Sequence, residues 1–395
     1  MKGSTAVVGI GESQYYKGGR SPHSALQLAV TAIRAAVDDA GLSLRDVDGF
    51  VSFHEERRFA YLASLLGCAN LRFSAQVSSG GGNISAAALL LADAAVHSGQ
   101  ADVVVAYRSL CQSGATRYGR PVLAAAAAGE DAFLTPFGSA APVVKNALLT
   151  KKFMHDHGVS NDAVCEVAMA SYAHAQHNPR AVMHGRPLSR DDYYASRLIA
   201  DPFRLFDCCQ ESDGAAAVVV TRADRARDLR RVPVYLRAGA VGMQQYGGLW
   251  AFNDASFPAG RYRDVGRLLW EGAGVRPDDV PVAQFYENFT GTTLMAISDM
   301  GLCEPEELND YVAEGNLRWP DGRIPMNTSG GNLAEAYIQG FQLLNEGVRQ
   351  IRGDATCQVP GAELSLVVAG PGTPPGSAVL FSAHGDQRVA RSAGV

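Results

Sequence analysis

The sequence predicts an α/β protein made of two related βαβαβ halves, with a loop domain inserted into the first. Three observations carry this expectation. Short apolar segments alternate with stretches of helical periodicity, the pattern of a sheet covered by helices on both faces. A glycine-rich loop followed by a helix and then a valine-rich strand occurs twice, at Ser79-Gly-Gly-Gly-Asn83 and at Ser329-Gly-Gly-Asn332. Residues 107–205, ahead of the end of the first half, hold an alanine run, the polar stretch 172–190 and Asp191-Asp-Tyr-Tyr, a composition that suits a loop domain covering a cleft.

In the first half, Ala6 to Ile10 reads as a buried strand, and 24–40 as a helix with apolar residues at 26, 29, 30, 33, 36 and 37, stopped by Gly41. A strand follows at 47–53, then a short helix ending at Gly67, a strand at 72–77, a helix at 84–98 and a strand at 102–106. Alternation of this kind predicts a parallel sheet. The second half repeats the order. Residues 233–240 form a strand and 263–271 a helix ended by Gly272, followed by a strand at 282–286 and a helix from about Thr290. The second glycine loop then leads into a helix at 333–352, a strand at 364–370 and a hairpin partner at 377–382. The expected division is 1–225 and 226–395, the two halves facing each other through their glycine-rich helix starts around one shared site. The alanine run 124–128 in the insertion is a short helix or packed loop.

With 395 residues, 47% of them hydrophobic, the chain can bury a large core. A formal net charge of −5 and scattered basic residues argue against a nucleic-acid surface. No apolar run approaches a membrane span, and no secretory leader is evident, so a cytoplasmic protein with reduced thiols is expected. Seven cysteines show no metal-ligand spacing. Cys208-Cys209 reads as buried packing, and His155 and His157 as a helix end rather than half a metal site. No metal or separate cofactor is expected.

The loop before the first alanine-rich helix is built like a place where a nucleophile is activated. Glycines let the backbone approach a ligand, and unpaired N–H groups at a helix start favour negative charge. No thiol or hydroxyl stands at Gly82 to use that setting.

The duplicated plan, the inserted loop domain, Glu211-Ser-Asp-Gly-Ala-Ala-Ala-Val-Val and Asn327-Thr-Ser-Gly-Gly together resemble the thiolase superfamily, over the whole chain. The nearest branch is the sterol-carrier-protein-type and lipid-transfer-protein-like thiolases. That resemblance implies a five-layered α-β-α-β-α sandwich. Active thiolases use four catalytic elements, and this chain departs from each. The nucleophilic cysteine falls on Gly82. The asparagine or histidine of the second element falls on Tyr286, in Phe285-Tyr-Glu-Asn-Phe289, and the histidine of the third on Tyr337, in Ala336-Tyr-Ile338. The second cysteine falls on Ala369 or Gly370. Thiolysis by the family mechanism is therefore excluded as an expectation. A tyrosine pair with glycine at the cysteine position resembles the thiolase-like aldolases of steroid side-chain degradation, which cut a β-hydroxy acyl-CoA into a ketone and a shorter acyl-CoA.

A retro-aldol cut needs a proton taken from the β-hydroxyl, stabilisation of the enolate oxygen, and a proton returned to the α-carbon. Two phenols on opposite sides of the breaking bond would serve, and Tyr286 and Tyr337 are the expected catalytic pair. Packing explains a single tyrosine at a strand end more often than chemistry does; two at family catalytic positions reverse that weighting. Gly82, Asn288, Asn327, Gly330, Gly331 and Gly370 are the expected oxyanion and substrate-positioning residues. Asparagines in turns more commonly serve the local backbone. Two other functions compete: a non-catalytic thiolase-fold subunit that binds acyl-CoA or lipid, and an acyltransferase using Cys68, Cys111 or Cys303. The resemblance further implies a homodimer and a small OB-fold, zinc-ribbon partner protein, with acyl-CoA as substrate.

Overall fold

The computed structural model describes residues 3–53, 58–78, 82–112, 129–139, 141–242, 262–370 and 375–385. Ser79, Gly80, Gly81 and the alanine run 124–128 lie outside the described residues.

The first half begins with strand β1 (Thr5–Glu12), the short β2 (Tyr16–Lys17) and helix α1 (Ala25–Asp39). Ser24 caps α1 reciprocally with Gln27, which fixes its start one residue inside the expected span. β3 (Gly49–Phe53), α2 (Phe59–Leu66), β4 (Phe73–Val77), α3 (Ser85–His97) and β5 (Val103–Leu110) follow. Gly67 ends α2 with φ 76°, the left-handed stop that the sequence suggested. The insertion holds α4 (Pro142–His157), α5 (Asn161–Ala175), α6 (Arg190–Ala195), β6 (Leu198–Ala200) and β7 (Phe203–Arg204). β8 (Ser212–Arg222) and α7 (Ala223–Ala226) close the half.

The second half comprises β9 (Val234–Gly242), α8 (Arg263–Ala273), β10 (Ala283–Phe285), α9 (Thr290–Asp299), α10 (Leu308–Ala313), α11 (Phe341–Arg352), β11 (Leu364–Ala369) and β12 (Gly376–Ser382). Helix α8 runs past Gly272 and stops at Gly274, where φ is 69°. Its left-handed cap is at 274, so the earlier glycine stays helical.

Strand order shows the duplication directly. One path runs β10-β11-β12-β9-β1-β8-β5-β3-β4. β1 lies antiparallel to β8 as β9 does to β12; β8 is antiparallel to β5 as β12 is to β11; β5 is parallel to β3 as β11 is to β10. The halves join where Ala6 and Val7 meet Tyr235 and Val234. The expected parallel sheet is therefore a mixed one. β8 and β12 are antiparallel to both their neighbours, and β12 is reached from β11 by a hairpin that needs no crossover helix. Helix α1 covers the outer face of the first sheet, α8 covers that of the second, and α3 and α11 lie between, touching strands of both. This is the five-layered thiolase-like arrangement.

The largest departure from the sequence reading concerns 333–352. Residues 331–335 form a single π-turn, Ala336 is extended (φ −168°), Gln339 and Gly340 have positive φ, and the helix begins only at Phe341. Tyr337 donates its backbone N–H to Ser212 Oγ at 3.1 Å and bridges Glu211, so the neighbouring strand takes the bonds a helix would have supplied.

The insertion is fastened by buried polar contacts. Asp207 accepts the Tyr193 hydroxyl at 2.8 Å and Thr290 Oγ1 at 2.7 Å, tying it to the start of α9. His157 pairs with Glu306 at 2.8 Å, the helix-end surface role expected for that histidine. No helix among the described residues is long and apolar enough to cross a membrane.

Candidate active site

Tyr286 is the first residue beyond β10 and donates its N–H to Val368 O at 2.9 Å. The strand end it continues is braced by Asn327, whose φ of 51° turns its amide against Phe285. Asn327 Oδ1 accepts the Phe285 N–H at 2.7 Å and Nδ2 donates to Phe285 O at 3.0 Å, so the side chain substitutes for a neighbouring strand. His174 holds this residue from below. Its Nε2 accepts the Trp319 N–H at 2.9 Å and its Nδ1 lies 3.2 Å from Asn327 O. Burial pushes its pKa down to about 4, which keeps the ring neutral.

The two tyrosines meet. Tyr286 Oη donates to Tyr337 Oη at 2.8 Å, with the rings edge to face at 6.1 Å and 68°. They are 3% and 7% exposed, in a core cluster that draws residues from both halves. Oxygens this close leave no room for another atom between them.

Gly82 explains how the pair fits. A Cβ there would overlap Cε2, Cζ and the hydroxyl of Tyr286. On the other side, Gly340 has φ 80°, and a Cβ on it would come within 2.6 Å of Tyr286 Cδ2 and 3.1 Å of Ser85 Oγ. The ring thus occupies a slot walled by two glycines. It fills the space that a residue 82 side chain would need, so a thiol at position 82 and this tyrosine placement exclude each other.

The remaining expected positioning residues divide. Gly330 spends its N–H on Asn327 O at 2.8 Å, and both amide atoms of Asn327 serve Phe285, so these two shape the turn. Gly331, φ 57°, leaves the space taken by Glu287 Oε1. Asn288 presents a buried Oδ1 with no hydrogen-bond partner among the described residues, one position past Glu287. Gly370, φ 110°, lets its loop close on Asn83, with Tyr262 Oη 2.7 Å from where its Cβ would be. Ser377 Oγ donates to Asn83 O at 2.8 Å, and Asn83 Nδ2 bonds Pro375 O. The loops of the two halves therefore pack on one another beside the tyrosines.

Sequence reasoning missed Glu287, Ser212, His174 and Gly340. Glu287 stands in a polar turn, where a charge reads as solvated; the others act through contacts 125 or more positions apart, or through backbone shape. Of the cysteines an acyltransferase would use, burial raises the thiols of Cys68 and Cys303, that of Cys303 to about 12, which suppresses the thiolate a nucleophile needs. No three His, Cys, Asp or Glu side chains converge on a metal-sized site among the described residues.

Known proteins resemble this chain closely. Residues 253–380 match the family described as thiolase C-terminal domain-like. The chain is 39% identical to the 17-hydroxy-3-oxo-4-pregnene-20-carboxyl-CoA lyase of Mycobacterium tuberculosis, over 96% of this chain and all of that protein. It is 35% identical to a steroid side-chain-cleaving aldolase of Thermomonospora curvata, over 96% of this chain and 98% of the other. Among solved structures, the Ltp2-ChsH2(DUF35) aldolase superposes with a TM-score of 0.89 at 34% identity, over 98% of this chain and 99% of that one. A monomeric SCP2-thiolase-like protein of Mycobacterium smegmatis shares the fold at 19% identity and a TM-score of 0.73, over 96% of this chain and 78% of that one.

Proposed function

The chain belongs to the thiolase-like steroid side-chain aldolases and is a carbon–carbon lyase, and on that premise we propose that it performs a retro-aldol cleavage of a β-hydroxy acyl-CoA on a steroid side chain, with Tyr286 and Tyr337 as the proton-transfer pair. In the substrate that the Mycobacterium tuberculosis relative is named for, the hydroxyl-bearing C17 lies β to the thioester carbonyl and C20 lies α to it. One tyrosine, as the phenolate hydrogen-bonded by the other's hydroxyl, takes the C17 hydroxyl proton. The C17–C20 bond breaks, its electron pair moves into the thioester as an enolate, and the other phenol returns a proton to C20. A 17-ketone and propionyl-CoA leave; a side chain without the C20 methyl would give acetyl-CoA. One phenol has then gained a proton and the other lost one, and the 2.8 Å hydrogen bond between them lets a single transfer reset the pair. That contact is the observation carrying the reading. The backbone N–H groups at the start of α3, from Gly82 on, and the Asn288 amide are the groups we assign to the thioester oxygen as negative charge develops.

The Ltp2-ChsH2(DUF35) structure supports a small partner protein, and the half-exposed β4 at the end of the sheet path supports pairing with a second copy. We therefore place the chain in a homodimer assembled with such a partner. The test is to incubate the chain, with and without a co-expressed partner, with a 17-hydroxy steroid 20-carboxyl-CoA and to follow CoA products by mass. Propionyl-CoA with the 17-ketone is expected. Tight acyl-CoA binding without any shortened product, partner present, would establish the non-catalytic binding subunit instead.

A further inference from the structure

Three chain segments meet beneath the phenol pair. Cys209 N–H donates to Asn288 O at 2.9 Å, Gln210 N–H to Asn332 O at 2.9 Å, and Tyr337 N–H to Ser212 Oγ at 3.1 Å. The segment 209–212 is thereby bonded both to the turn carrying Tyr286 and to the segment leading to Tyr337. One side of the triangle remains, the link between those two. Glu287 supplies it.

Glu287 directly follows Tyr286 and is fully buried. Its Oε1 accepts the Leu333 N–H at 3.4 Å and interacts with the Asn327 side chain and the Asn332 backbone. The carboxyl enters the turn at 330–332 only because residue 331 has no side chain. No cation among the described residues pairs with it, and its Oε2 is buried without a hydrogen-bond partner there. Burial pushes its pKa well above the usual carboxylate range, which favours the neutral acid. Such a group costs free energy that an apolar residue of equal size would not. Packing alone does not account for a carboxyl at this place.

We infer that Glu287 is a positioning residue: it clamps the turn carrying Tyr286 to the turn preceding Tyr337 and thereby sets the distance between the two phenol oxygens. The inference rests on the reading of the tyrosines as the proton-transfer pair. It is tested with Glu287→Gln, which keeps the acceptor and the neutral charge, and Glu287→Leu, which keeps the volume and removes the acceptor. Glu287→Gln is expected to hold kcat within about threefold, and Glu287→Leu to lose about 10²-fold in kcat with KM within about twofold, the size of effect that ångström-scale misplacement has on a reacting geometry. A crystal structure of Glu287→Leu should show the phenol oxygens separated beyond hydrogen-bonding distance. If Glu287→Leu does not fold, Glu287→Asp takes its place, since it withdraws the same acceptor by one methylene and should lose at least about tenfold where Glu287→Gln does not. An unchanged 2.8 Å contact in the impaired variant overturns the inference, as does a loss in Glu287→Gln equal to that in Glu287→Leu. Failure of the aldolase reading looks different: the unaltered protein, with its partner, would then release no shortened acyl-CoA at all.

Discussion

The ring of Tyr286 occupies the volume that any side chain on Gly82 would need. The resemblance to thiolases puts their nucleophile at position 82, and the glycine that stands there leaves the tyrosine its room. Gly82→Ala is expected to push the ring aside, break the phenol–phenol bond and lower kcat by about 10²-fold, while destabilising the fold by about 1–3 kcal/mol through overpacking. Gly82→Cys should lose aldol cleavage in the same way. Product formation by Gly82→Ala at the unaltered rate would mean that the two residues do not compete for space.

In the proposed mechanism the two phenols act as one unit, so their removal should be strongly non-additive. Tyr286→Phe and Tyr337→Phe are each expected to lower kcat by about 10²- to 10⁴-fold with KM little changed. The double variant should fall no more than about tenfold below the weaker single one. Steady-state kinetics on the CoA thioester decide it, and near-normal turnover by both single variants would remove the tyrosines from the mechanism.

Much of the fold was legible because its signals are local. Ser24 with Gln27 marks the start of α1, Gly67 the end of α2, and the repeated glycine loops announce α3 and the turn at 330–331. The stretch 333–340 misled because its outcome is not local: Leu333 to Tyr337 carries helix-forming residues, yet Ser212 and Glu211, some 125 positions earlier, claim its backbone. The positions of the two tyrosines could be read by comparison with a family pattern. Their contact could not, since it depends on Gly82 and Gly340 together, and Glu287 stayed hidden because a glutamate at a turn reads as solvated until its burial is known.

His174 links the site to acid stability. Its folded pKa, about 4, lies below its usual value of 6.5, so the unfolded chain binds the proton more readily between those values. The stability it contributes is present above pH 6.5 and is lost as pH falls towards 4, on the order of 3 kcal/mol in all. Buried carboxyls such as Glu335, raised to about 7 by burial and by Glu12, slope the other way, so the comparison must be between variants. His174→Gln should show a flatter loss of denaturation midpoint from pH 6.5 to 4 than the unaltered chain. Parallel curves for the two proteins would show that His174 does not carry the effect.

The central helix of the second half is bound to the first half by charge. Arg349 on α11 donates to Glu12 Oε2 at the end of β1 at 2.6 Å, and Asn345 Nδ2 donates to Gly11 O and Glu12 Oε1, each at 3.1 Å. Burial raises the Glu12 pKa, but Arg349 and Arg180 outweigh it and hold the carboxyl below its ordinary range. A buried pair of this kind is worth little against an apolar pair of the same size, whereas losing one partner is expensive: Arg349→Met, which leaves Glu12 only Arg180 Nε at 3.3 Å as a cationic partner among the described residues, should cost about 3–5 kcal/mol. Adding Glu12→Leu should return more than half of that loss, because the poorly compensated carboxylate goes with it. Without Arg349, the Glu12 pKa in the folded state should rise above its unfolded value. The single variant, unlike the original protein, should then gain stability as pH falls through the carboxylate range. Urea denaturation of the three proteins at two pH values measures both effects, and a double variant no more stable than Arg349→Met would show that the pair does more than neutralise itself.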